Sequence, residues 1–110
     1  MPYTWVYATS VTAISEPVTI TEFGAFEWVD GRWTFANFTS TPFSGRDFAD
    51  WYSCPGGVAT PDRAYTDPTN WSGRQELQSG KAMWYYLGVT ASGQRVKGVA
   101  VIEEAGVLTD

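Results

Sequence analysis

The chain has no histidine, one cysteine, three Leu and three Ile, and seven basic residues against 12 acidic ones. Each shortage excludes something. Without His the commonest general base and the commonest metal ligand are both missing. A single Cys excludes an internal disulfide framework and any multi-cysteine zinc site. A net charge of −5 opposes nucleic acid as a partner, because that binding rests on Lys and Arg neutralising phosphates. No run approaches the roughly 20 apolar residues that span a bilayer, so no transmembrane segment is expected. The start, Met1-Pro2-Tyr3-Thr4-Trp5, shows no basic region followed by an apolar stretch. With the lone Cys54, that leads the expectation toward the cytoplasm.

What the chain does have is six Trp, six Tyr, six Phe, ten Val and 13 Thr. β-Branched and aromatic side chains suit a pleated, half-buried surface. Large rings bury roughly 150–250 Å² each, so Trp and Tyr can supply much of a core. At 110 residues the chain fits one domain, residues 1–110.

The pattern along the chain is that of strands. Tyr3 to Ala13 alternates rings with smaller residues, and Val18 to Trp28 continues after a turn at Ser15-Glu16-Pro17. The phase of that second strand slips near Gly24, where a β-bulge or bend is expected. Asp30-Gly31 predicts a type I′ hairpin with Trp28 near Trp33. The third strand, Arg32 to Thr39, would place Trp33, Phe35 and Asn37 on one face. Ser44 and Asp47 have capping-box spacing, followed by Phe48, Trp51 and Tyr52 at helical spacing. Helical turns or an aromatic edge strand fit that segment. From Ser53 to Gly80 the chain reads as too polar and too broken for strands, with a short turn at Ser72 to Gln78. Lys81 to Ala91 and Gln94 to Glu103 read as a final hairpin, and Glu104 to Asp110 as a frayed tail. The whole predicts an all-β fold: an antiparallel β-sandwich, or a partly open barrel, of hairpin-connected strands with one long irregular excursion over 44–80.

The excursion holds the first candidate site: Asp47, Asp50, Trp51, Tyr52, Asp62, Asp67, Asn70 and Trp71, with Arg63 and Arg74 beside them. Flat rings cover the apolar face of a sugar while Asp, Asn and Arg hold its hydroxyls. The competing explanation is that the rings pin an irregular loop and that Asp and Asn serve its turns. Asp62, Asp67 and Asn70 also offer hard oxygen ligands for calcium, though at no EF-hand spacing. No metal or cofactor is part of the expected function. Carboxylate pairs suited to acid–base work are Glu22 with Glu27 and Asp47 with Asp50. Cys54 without His lacks an activating base. Two glycosylation sequons begin at Asn37 and Asn70.

The rings divide into two groups. Trp5, Trp28, Trp33 and Tyr85 lie on strands that a core would absorb. Trp51, Tyr52, Tyr65 and Trp71 lie in the excursion and call for another explanation. The expected function is a non-catalytic binding module with carbohydrate as its ligand. The alternative is a structural or interaction protein that forms a homo-oligomer through a second aromatic face, since both faces of 3–8 and of 81–91 are apolar.

Overall fold

The computed structural model describes residues 2–108. Two antiparallel sheets pack face to face and do not close into a barrel. The smaller sheet pairs β1 (Tyr3–Val11) with β6 (Tyr65–Arg74). The larger is ordered β3-β2-β7-β8, comprising β3 (Arg32–Phe35), β2 (Val18–Val29), β7 (Gly80–Thr90) and β8 (Arg95–Glu104). Two short strands, β4 (Phe43–Ser44) and β5 (Val58–Ala59), share with β3 the edge of β2 that faces away from β7.

Local chemistry sets several of these boundaries. Asp30 and Gly31 both take positive φ, 50° and 79°, and the hairpin they close sets Trp28 opposite Trp33. Ser44 caps α1 (Gly45–Trp51): its Oγ accepts from Asp47 N at 3.2 Å, and Asp47 Oδ2 accepts from Ser44 N at 3.0 Å. The segment is therefore a helix and not an edge strand. It lies against β2, where Phe23 is the hub of the core. Phe23 is edge-on to Phe48, Trp51 and Tyr52 and lies nearly parallel to Tyr86 at 6.0 Å.

Several sequence expectations need correction. The stretch from Ser53 to Gly80 is not one long loop, because it contains the ten-residue strand β6. Alternation hid this strand, since Tyr65, Asp67, Asn70 and Ser72 are its buried residues and three of the four are polar. Pro68 is tolerated because the β1–β6 ladder slips there, with Tyr7 opposite Asn70 and Thr9 opposite Asp67. Ser72 thus belongs to β6, and the chain bends only after Arg74.

The bulge in β2 falls at Thr21 and not at Gly24: Ile20 faces Gly88 while Glu22 faces Leu87. Gly24 serves close approach instead, because a Cβ there would sit 2.9 Å from Asn37 Oδ1. The third strand ends at Phe35. Asn37 turns inward, accepting from Ala25 N and donating to Thr41 O, both at 2.8 Å. The tail is tied as far as Gly106: Glu104 is buried, Trp5 Nε1 donates to Ala105 O at 3.0 Å, and Gly106 N donates to Ser79 Oγ at 3.1 Å. Residues 109–110 of the expected frayed tail lie outside the described residues.

The division of the rings holds for Tyr85, which is buried, and Trp71, which is exposed, and fails for others. Tyr52 and Tyr65 are core, and Trp51 packs against it. Trp28 and Phe35 lie exposed on the outer face of the larger sheet.

Candidate functional site

The eight candidate residues separate into three settings. Asp47 is engaged by the helix cap, and Asp50 points outward from α1. Asp62 is exposed before β6, where Thr60 Oγ1 donates to it at 2.7 Å, and that hydrogen bond holds its carboxyl below the usual range.

Tyr52, Asp67 and Asn70 are buried. The Tyr52 hydroxyl, 1 % exposed as a residue, lies 2.6 Å from Thr9 Oγ1 and 2.6 Å from the Tyr86 hydroxyl. Asn70 Nδ2 donates to Thr9 Oγ1 at 3.0 Å, and Asp67 Oδ1 accepts from Thr69 N at 3.1 Å. Burial, and then Tyr86, push the Tyr52 hydroxyl far above its ordinary pKa. This network satisfies polar groups inside the sandwich. Asp67 and Asn70 are turned into it, away from the exposed Asp62. Both sequon asparagines, Asn37 and Asn70, are buried.

Trp51, Asn70 and Trp71 do meet, around a shallow cleft of about 60 Å³. Trp71 is 39 % exposed and stacks on Phe38 with centroids 6.0 Å apart and planes at 22°. Phe38, Trp84, Asn37 and Glu27 are among the other lining residues. Sequence reasoning placed none of these four at the site. For Asn37 the sequence offered only a sequon and a place beside Trp33 and Phe35 on a strand face, and for Phe38 only a place on the other face.

Behind the cleft lies a cluster of charge. Arg74 Nη1 is 3.3 Å from Glu104 Oε1 and 3.5 Å from Glu27 Oε2. Ser72 Oγ donates to Glu104 Oε2 at 2.5 Å, and Trp84 Nε1 donates to the Tyr7 hydroxyl at 2.8 Å. Glu27 Oε2 is buried without a hydrogen-bond partner. Burial first, and then the neighbouring Glu104, push the Glu27 carboxyl up to about 8, with Arg74 opposing. One guanidinium thus sits between two carboxyls, and burial together with Glu104 favours the protonated form of Glu27. The expected pair Glu22 and Glu27 does not form. The two lie on opposite faces of β2, and Glu22 accepts from the Tyr85 hydroxyl at 2.8 Å.

The outer face of the larger sheet is the other open surface. Register places Phe35, Phe26, Met83 and Val101 in one row, and Gly24, Tyr85 and Val99 in the next, where Gly24 and Tyr85 are buried and Val99 is exposed. Beyond the first row, Trp28 and Trp33 meet edge to face at 5.2 Å and 73°, with Lys81 Nζ 5.4 Å above the Trp28 ring. Beyond the second, Glu22, Leu87 and Lys97 form the border. Phe26 and Phe35 also cross steeply, at 76°. The rings therefore share no common plane.

Among the described residues no three His, Cys, Asp or Glu side chains converge as metal ligands. No helix among them is long and apolar enough to cross a membrane. No family model, curated protein or solved structure matches the chain.

Proposed function

We propose that this chain is a non-catalytic interaction module whose working surface is the outer face of the larger sheet, and that a second copy of the chain covers it. The observation that carries this reading is the pair of apolar rows, with charged side chains confined to the rows on either side. Strand spacings of about 4.8 Å and same-face rows about 6.6 Å apart give the two apolar rows, taken with the Trp28–Trp33 pair, an outline on the order of 350–400 Å². That is the size at which an exposed apolar patch on a monomer is commonly functional. It suits the dry centre of an interface needing about 800 Å² on each side, with a polar rim. The steep angles between rings favour interdigitation with another protein over stacking on a flat sugar face.

Light scattering on fractionated protein tests this with the double variant Trp28→Ser/Phe35→Ser. Both residues are exposed, so the variant should fold and run as a smaller species than wild type. An unchanged mass would refute the proposal.

A second reading keeps carbohydrate as the ligand and places it at the cleft, supported by the exposed Trp71 ring beside Phe38. Titration with oligosaccharides should then shift the Trp71 indole resonance and leave Trp28 and Trp33 unmoved. No shift at any sugar concentration removes this reading.

A further inference from the structure

The free edge of β8 carries an inference separate from the outer face. β8 pairs with β7 in an unbroken register from Gly80–Glu104 to Val89–Arg95 and has no strand on its other side among the described residues. It is ten residues long, contains no proline, and is exposed from Arg95 through Val99. Such an edge is a template for pairing, and monomeric proteins usually blunt it.

The charges along β8 decide which strand it takes. Its outward side chains run Arg95, Lys97, Val99, Val101, Glu103: basic at one end, apolar in the middle, acidic at the other. None of the three charged residues makes an ion pair among the described residues, where Arg74 holds both ion pairs. Read antiparallel against itself, the pattern is complementary. With Val99 facing Val99 of a second copy, each Arg95 faces the other copy's Glu103, and each Lys97 lies diagonal to that same carboxylate.

The inward side chains agree with this register. Val96 would face Ile102, and Gly98 would face Ala100. These inner positions are poorly covered, because the smaller sheet has only two strands. A groove of about 440 Å³ remains between Val96, Gly98 and Ala100 and the β1–β2 connection. Ile14 in that connection is 96 % exposed and also lines the groove.

We propose that two copies join through antiparallel pairing of their β8 edges, centred on Val99, into one continuous sheet. The contact is isologous, so a two-fold axis closes it. It leaves the apolar outer face free, and the two associations are therefore separable.

The test uses Arg95→Glu and Glu103→Arg, each at an exposed position, with dissociation constants from sedimentation equilibrium. Each variant alone sets two like-charge pairs across the axis and should weaken dimerisation about tenfold or more. Mixing the two restores both ion pairs, so the heterodimer should return to within about threefold of wild type. Thermal melts confirm that each variant is folded. The edge contact is overturned if wild type stays monomeric up to about 1 mM, if the single variants dimerise as wild type does, or if mixing restores nothing. Trp28→Ser/Phe35→Ser should leave β8 pairing intact. Loss of association in that variant with none in Arg95→Glu would support the outer face and overturn the edge.

Discussion

Replacing Glu27 with Gln should stabilise the domain by an amount that grows with pH. Below about pH 4.5 the Glu27 carboxyl is protonated in the folded and the unfolded chain alike, and it contributes nothing to the pH dependence. Between 4.5 and about 8 the unfolded chain has released a proton that the folded chain still holds. Stability therefore falls across that interval as pH rises. The side chain is 13 % exposed, so water screens little of the penalty. At about 1.4 kcal/mol per pH unit, the full interval corresponds to roughly 5 kcal/mol as an upper bound. The substituted glutamine has no proton to lose, so it is free of this pH dependence. Urea unfolding followed by tryptophan fluorescence from pH 5 to pH 9 reads the difference. The variant and wild type should match near pH 5, with the variant ahead by roughly 2–4 kcal/mol at pH 9. Parallel profiles across the range, or a variant less stable at high pH, would show that Glu27 does not hold its proton in the folded chain. Tyr7, whose hydroxyl burial pushes up from 10.0, titrates above this window and does not confuse it.

Three further outcomes follow from the interior. Tyr52→Phe removes the hydroxyl that joins Thr9 and Tyr86 and should cost about 1–3 kcal/mol in thermal or urea unfolding, since both neighbours lose a buried partner. Gly45→Ala brings a Cβ to 2.3 Å from the Ile20 carbonyl oxygen, a backbone atom, and should cost about 2 kcal/mol or more by the same measurement. Cys54 is buried and its thiol is pushed up by that burial, so a disulfide reagent at pH 8 should label it at the rate of unfolding and at once in urea.

The parts of the fold legible in the sequence are those governed by neighbours along the chain. Asp30-Gly31 requires positive φ and closes a hairpin. Ser44 and Asp47 cap a helix across three residues. β2, β7 and β8 show through dense β-branched and aromatic residues. β6 was not legible, because its strand character depends on partners far away. Asn70 is satisfied by Thr9 and Ser72 by Glu104, and without them a polar stretch with Pro68 and Gly73 reads as loop. The candidate site divides the same way. Trp51, Asn70 and Trp71 share a cleft, whereas Asp47 and Asp62 serve local hydrogen bonds. Trp28 and Phe35 lie on the uncovered face because strand alternation turns them away from the side of β2 and β3 that packs on the core, and no local pattern says which of two apolar faces a distant sheet will cover.

If the outer face of the larger sheet is an interface, its rings must lose solvent when the chain associates. Hydroxyl-radical footprinting of the wild-type chain, at concentrations below and above association, tests it most directly. Oxidation of Trp28, Trp33, Phe35 and Met83 should fall as concentration rises, while Phe38 and Trp71 stay reactive. Constant oxidation of the first four, or protection confined to Phe38 and Trp71, would contradict it.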